Sequence, residues 1–476
     1  MNQRTLLFLI ADTGAGHRSA ANAIRNAITL ISQQEREEWL ARWQQAPGEG
    51  AETLTPPTYR IEIVDVFEEY SHFPLRGAMK LYGPAIRYNP KLYGQIFHIS
   101  NQPRRILAAQ TLATPLIHNG LLRLITSVQP DVIVSIHPLL NAVTLQVLRD
   151  LKLPIPFITV VTDLVSIHHS WFARGADAYI VPTEYARQLY MQRGFDPERV
   201  HMLGMPIDPK FTHPMASKED LRRKLELDPA IPVVLLVGGG EGTRGLHTSV
   251  RAISQARLPV QLLIITGRNK RLYAQLQRMR SSLRVPARVM GFVQNMPEMM
   301  HASDVIVTKA GPGTISEALA CGLPIVLNSY VPGQEKGNVD YVIDNGVGVL
   351  AQDSVELVDE LRRLLKPGSP VLQQQLTNAR LISRPYASFD IAKHILSYLP
   401  PPGKYGVWLR GVSSRRRRQM SGRLRSATPI RDLSGKLPGL RRRLPFKERS
   451  LIPHLRRTPF RRSLTQSRTR STDTHA

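Results

Sequence analysis

A chain of 476 residues, 42% of them hydrophobic, is long enough for two ordinary domains, each with its own core. Its formal net charge of +26 is concentrated at one end: residues 401–476 hold 21 Lys and Arg against 3 acids (+18), leaving +8 on the first 400, an imbalance that points to an anionic surface, membrane or nucleic acid. The single cysteine, Cys321, excludes an internal disulfide and a thiolate zinc cluster and fits a reducing, intracellular compartment, while the absence of an uncharged apolar run of about 18 residues makes any expected membrane contact peripheral.

The chain opens on "TLLFLIA" (5–11), a short apolar strand that runs into Asp12 and is too short for a signal-peptide core or a membrane span. "IADTGAGHRSAANAI" (10–24) then places His17 between a glycine turn and a helix whose packed face is Ala20, Ala21, Ala23, Ile24, Ala27 and Ile28. His17 reads either as a group that does chemistry or as a polar residue at a helix start. Residues 70–130 contain no Asp or Glu but carry Arg76, Lys80, Arg87, Lys91, Arg104, Arg105 and Arg123 among apolar and aromatic residues. In "RGAMKLYGPAIRYNPKLYGQIFHIS" (76–100), Pro84 and Pro90 argue for short helices, with either a solvated basic face or a membrane-facing, acceptor-binding one.

Apolar runs follow at "DVIVSI" (131), "FITVVT" (157) and "AYIVPT" (178), and again at "VVLLVG" (233), "LLIITG" (262), "DVIVTK" (304) and "PIVLN" (324). Runs that are apolar throughout belong to strands covered on both faces, the pattern of parallel sheets in doubly wound α/β domains. Prolines cluster in "GMPIDPKFTHPMASKED" (204–220), which puts the domain boundary near 206. The expected division is 1–205 with its basic insertion at about 70–130, 206–399, and a disordered Arg-rich tail, 400–476, too poor in aliphatic runs to offset chain ordering.

Two glycine-rich turns stand out in the second half. "VVLLVGGGEGTRGL" sets Gly238, Gly239, Gly240 and Gly242 after a strand, where backbone N–H groups can approach a phosphate, or where they only make a tight turn. "DVIVTKAGPGTISEALACGLPIVLNSYVPGQEKGN" places Gly311, Gly313 and Thr314 at a helix N-terminus suited to a diphosphate. Glu317 either closes a capping box with Thr314 or accepts from a ribose diol.

That tract, together with "DTGAGHRSAANAI", "VVTDLVSIHHSWF" and "VGGGEG", resembles the monogalactosyldiacylglycerol synthase and processive diacylglycerol glucosyltransferase family, over roughly residues 5–395. More distantly it is similar to the N-acetylglucosaminyltransferase that makes the lipid-linked peptidoglycan precursor. The resemblance implies a GT-B glycosyltransferase: two Rossmann-like domains facing a cleft, lipid acceptor on the first and UDP-sugar on the second, with hexose transferred from UDP-glucose or UDP-galactose to diacylglycerol with inversion. It makes Glu317 the ribose ligand, Gly311, Gly313 and Thr314 the diphosphate turn with Gly239 and Gly240 opposite, and Gln334 and Glu335 the sugar contacts with Asn338 nearby. It sets Phe292, in "GFVQNM", beside uracil and His17 next to the acceptor, as general base or acceptor-orienting residue; Asp163, at a strand end, either caps the next turn or, as the resemblance favours, orients a catalytic group.

No two Asp residues stand at i and i+2, so the Asp-x-Asp motif for a divalent cation is missing; no metal ligand and no cofactor are expected, the UDP-sugar being a substrate. Leaving-group charge then falls to the helix N-terminus, the glycine-rich loop and Arg244 or Lys309. The expected location is cytoplasmic, peripheral on the inner face of the cell membrane, with the tail against anionic lipid. Two alternatives remain: transfer of N-acetylglucosamine from its UDP-sugar to a polyprenyl-linked acceptor, and nucleic-acid binding by the tail. The tail offers only Phe446 and Phe460 between Leu433 and Ala476 as stacking platforms, so nucleic acid is not the expected partner.

Overall fold

The computed structural model describes residues 3–12, 15–45, 56–71, 76–77, 101–238 and 245–399. Gly239, Gly240, Arg244, most of the basic insertion before residue 101, and the tail lie outside the described residues.

In chain order the first half holds β1 (Gln3–Ile10), α1 (Ala15–Gln45), β2 (Thr58–Asp65), α2 (Val66–Tyr70), α3 (Pro103–Val128), β3 (Val132–Ser135), α4 (Asn141–Leu151), β4 (Phe157–Val160), β5 (Ala178–Val181), α5 (Glu184–Gln192) and β6 (Val200–Met202). The second holds α6 (Lys218–Lys224), β7 (Val233–Val237), α7 (Gly245–Gln255), β8 (Gln261–Ile265), α8 (Lys270–Met279), β9 (Ala287–Met290), α9 (Met296–His301) and β10 (Val305–Lys309). It ends with α10 (Pro312–Ala320), β11 (Ile325–Ser329), α11 (Lys336–Asp344), β12 (Gly348–Leu350), α12 (Ser354–Leu365), α13 (Pro370–Ile382) and α14 (Ala387–Ser397).

The strands form two parallel sheets, ordered β2-β1-β3-β4-β5-β6 and β12-β11-β10-β7-β8-β9. Each is apolar on both faces because successive side chains alternate sides. In β1, Leu7 and Leu9 enter one core cluster while Leu6, Phe8 and Ile10 enter the other. In β7, Val233, Leu235 and Val237 face one way and Val234 and Leu236 the other. This is the doubly wound, two-sheet GT-B arrangement expected. The six α1 residues named for its packed face are all buried, most of them against the first sheet.

The short helices expected of residues 76–100 fall almost wholly outside the described residues; after them, α3 is a single helix of 26 residues that carries Pro115 in its interior. Helix α14, which follows the second sheet in sequence, buries Ile391, Ala392 and Ile395 against Leu6, Phe8 and Ile24 of the first, crossing back over the expected boundary. Gly204 makes room for that return: at φ +102° a Cβ there would stand 2.8 Å from Arg384 Cβ and 2.9 Å from Ala387 Cβ. Among the described residues no helix is long and apolar enough to cross a membrane.

In open parallel sheets, ligands gather outside the carboxyl ends of the strands. Those ends carry Asp12 after β1, Thr162 and Asp163 after β4, Gly238 after β7, and Ala310 and Gly311 after β10.

Candidate active site

His17 sits in the first turn of α1, partly open to the surface. One ring N–H donates to the Ile136 carbonyl, and Nδ1 lies 3.2 Å from the Thr162 hydroxyl. Burial pulls its pKa down to about 4, against the Ile136 bond and the charge of Asp12, so the ring is neutral at physiological pH. A neutral imidazole has one donor and one acceptor; with the donor engaged, the second nitrogen can take a proton. The buried His137 ring packs edge-on to it at 4.8 Å and meets Phe67 at 5.6 Å on another side. Burial, then the charges of His17 and His168, push the His137 pKa well below its usual value. Around this group, the Asp12 carboxylate is gripped by Arg18 at 2.6–2.8 Å, and the Asp12 N–H donates to Asp65 at 2.8 Å, which joins the ends of β1 and β2.

Asp163 is half-buried and turned onto its own loop. Its carboxylate accepts from Trp171 Nε1 at 2.8 Å and from the His168 N–H, closing the loop 164–171 on itself, while burial raises its pKa to about 6. His168 Nδ1 and the Ser170 hydroxyl are 2.6 Å apart, and the His169 N–H donates to Asn101 at 2.7 Å, where the basic insertion rejoins the described chain.

On the second sheet, α10 starts at Gly311, which occupies the N-cap with no side-chain cap. Pro312 has no N–H, and the Gly311 N–H is used on the Lys309 carbonyl at 2.7 Å. The donors left at this end are the backbone N–H groups of Gly313 and Thr314, and the space where a Gly313 Cβ would stand is open. Thr314 is therefore the third helical residue and not a cap, so the capping box with Glu317 does not form. Among the described residues the Glu317 carboxylate has no hydrogen-bond partner. Burial, then the nearby charge of Asp208, raise its pKa to about 7.

Glu335 is buried, pairs with Lys309 and accepts the Val331 N–H at 2.8 Å. Asn338 Nδ2 donates to the Ala310 carbonyl at 2.9 Å, tying α11 to the start of α10, and Gln334 precedes Glu335 in the same loop. Phe292 is 59% exposed just past β9, with the Arg268 guanidinium 5.1 Å from its ring centre. Among the described residues no three His, Cys, Asp or Glu side chains are grouped so as to hold a metal ion.

The two halves meet through the loop after β4. Thr162 touches His17, Leu164 and Val165 pack in the second sheet's core, and Ser166 Oγ accepts the Gly337 N–H of α11 at 3.1 Å. A continuous line of contacts thus runs from His17 through this loop to Asn338, Ala310 and the α10 N-terminus. Sequence reasoning missed Thr162, His137 and Ser166; a hydroxyl in "VVTDLVS" and a histidine in "SIHPLL" carry no local signal of what they meet across the fold.

A family model described as monogalactosyldiacylglycerol (MGDG) synthase matches residues 51–207, and one described as the glycosyltransferase family 28 C-terminal domain matches residues 233–385. The chain is 35% identical over 406 residues to a chloroplastic monogalactosyldiacylglycerol synthase 3 of Arabidopsis thaliana, covering 82% of this chain and 81% of that one. It is 34% identical over 398 residues to the chloroplastic monogalactosyldiacylglycerol synthase of Spinacia oleracea, covering 82% and 71%. Among solved structures it is similar in fold to Acinetobacter baumannii MurG, at a TM-score of 0.52 and 13% identity over 83% of this chain and 99% of that one. With two doubly wound parallel sheets and relatives at this identity along most of its length, the chain belongs to the monogalactosyldiacylglycerol synthase family.

Proposed function

We propose that this protein transfers a hexose, glucose or galactose, from its UDP-sugar to diacylglycerol with inversion, working peripherally at the cytoplasmic face of a membrane. The kinship with plant monogalactosyldiacylglycerol synthases supports the reaction class. What carries the reading in this chain is the line of contacts that joins a neutral His17 to the open end of α10.

In this reading the roles are those that the family resemblance implies. The acceptor lipid lies on the first sheet's side, by His17; the donor lies on the second. The ribose diol donates to Glu317, the diphosphate takes the N–H groups of Gly313 and Thr314 at the positive end of the α10 dipole, and uracil lies against the backbone beside Phe292. Gln334, Glu335 and Asn338 line the sugar. The acceptor oxygen attacks the anomeric carbon on the face opposite the diphosphate. His17 takes the hydroxyl proton as the new C–O bond forms, and the old C–O bond breaks with its electron pair on the β-phosphate, stabilised by α10 and Lys309. Asp163 works at one remove, holding the loop that presents Thr162 to His17.

The deciding experiment is mass analysis of lipid formed from diacylglycerol with UDP-glucose and, separately, UDP-galactose. A monohexosyl product with one donor is the expected result and identifies the sugar. No product with either, from folded protein on dispersed lipid, overturns the reading.

A further inference from the structure

Helix α11 begins where the donor sugar is placed, yet its own N-cap residue cannot cap it. Glu335 holds the N-cap position without a side-chain cap bond, because one carboxylate oxygen pairs with Lys309 and the other accepts the Val331 N–H. A helix start leaves backbone N–H groups that need an acceptor from elsewhere. Here the acceptor comes from the other sheet. The N–H of Gly337, second residue of the helix, donates to Ser166 Oγ, 171 residues earlier in the chain, which is the bond an N-cap serine makes within one helix. The fit is close: a Cβ on Gly337 would stand 2.5 Å from Ser166 Oγ and 3.0 Å from Val165 Cγ1.

Ser166 is itself fixed by its neighbours. Leu164 and Val165 before it pack in the second sheet's core, Ile167 and Trp171 after it pack in the first's, and the Leu164 carbonyl accepts from the Thr183 hydroxyl at 2.6 Å. The same loop begins at Thr162, which meets His17, and reaches Asn101 through the His169 N–H.

We propose that Ser166 is a positioning residue of the donor-sugar subsite: contributed by the acceptor-side sheet, it caps α11 in trans and so holds Glu335 and Asn338 in place only while the loop 162–171 is seated. This rests on the reading above, in which the first turn of α11 faces the hexose. UDP alone is held by Glu317 and the start of α10, which Ser166 does not touch. Loss of the cap is therefore felt first by the sugar, and by the nucleotide only through the Asn338–Ala310 bond.

The test is calorimetric titration of the full chain with UDP and with the UDP-hexose that it uses. Ser166→Ala is expected to bind UDP within twofold of the parent but UDP-hexose about three- to tenfold more weakly, a loss in the range of a removed helix cap. Ser166→Thr, which keeps the hydroxyl, restores the difference. Gly337→Ala breaks the same bond from the other side and gives the same split, and amide exchange at residues 336–338 speeds up in both cap-breaking variants. Equal weakening of UDP and UDP-hexose, or unchanged binding of both, overturns the proposal. A parent protein that binds neither ligand instead overturns the glycosyltransferase reading on which it rests.

Discussion

His17 and Glu317 are both moved from their usual ranges by burial, in opposite directions, and this divides the pH dependence of the reaction between them. His17, at about 4, keeps its lone pair until the pH falls through that value. Glu317, at about 7, is half protonated at neutrality in the free protein, and only its carboxylate form accepts two ribose hydroxyls. From pH 8 down to 5.5, kcat is therefore expected to stay level while KM for the UDP-sugar climbs, approaching about tenfold per pH unit below 7, and Glu317→Gln should flatten that climb. A kcat that instead halves near pH 6.5, with KM constant, would show a base with an unperturbed imidazole pKa. His17→Ala should lower kcat by about 10²- to 10⁴-fold with UDP affinity intact, as expected for a positioned base. Glu317→Ala should weaken UDP by about 1.5–3 kcal/mol, the worth of hydrogen bonds to a charged group. Its effect on stability has a definite sign. A carboxyl raised from 4.5 to about 7 in the fold contributes stability below 4.5 that is lost as pH rises through about 7, so removing it should raise Tm at pH 8 relative to the parent. A capping glutamate would lower Tm at pH 8 when removed. The residue types at 17, 311–317 and 334–338 were legible in the sequence, but whether Glu317 capped its own helix was not, because that depends on which residue, Gly311 or Thr314, begins the helix.

At the level of elements, the eight apolar runs read from the sequence are the eight interior strands, β1, β3, β4, β5, β7, β8, β10 and β11, each observed within a residue or two of its run. The four strands that escaped the reading, β2, β6, β9 and β12, are the four sheet edges. The reason is physical: an edge strand is less completely covered, so "TYRIEIVD" mixes charge with apolar residues where "TLLFLI" does not. Helix α14 shows a different limit, since its apolar face says that it packs but not on which sheet. Its return across the molecule depends on the chain after β6 passing tightly beneath it at Gly204. Gly204→Ala should cost about 1–3 kcal/mol from the positive φ alone, and more from the collision with Arg384 and Ala387. Gly322→Ala, at φ +61° with open space around the added carbon, pays only the backbone cost. Thermal melts of the two variants separate collision from strain, and equal losses would mean that α14 shifts freely.

The whole molecule combines a weakly charged two-sheet body with the +18 of residues 401–476. Polybasic segments gain about 1 kcal/mol per Lys or Arg at an anionic bilayer and are screened within a Debye length of about 10 Å at 0.1 M salt. Truncation after Pro400 is expected to preserve turnover on detergent-dispersed diacylglycerol, to weaken binding to anionic liposomes, and to flatten its salt dependence. Liposome binding that is equal with and without the tail across a salt series removes the tether, and tight retention on nucleic acid beside weak liposome binding favours the nucleic-acid alternative. What the sequence determined by itself is everything that depends on local periodicity and residue type: the interior strands, the packed face of α1, the glycine-proline turn that starts α10, and the chemical groups carried at the strand ends. What only the tertiary structure decided is which of those groups meet. His17 finds Thr162 and Ser166 reaches Gly337, because strand ends far apart in the chain converge when the sheets pack. No local pattern around a serine encodes a partner 171 residues away; that contact exists only once the two cores pack around one loop.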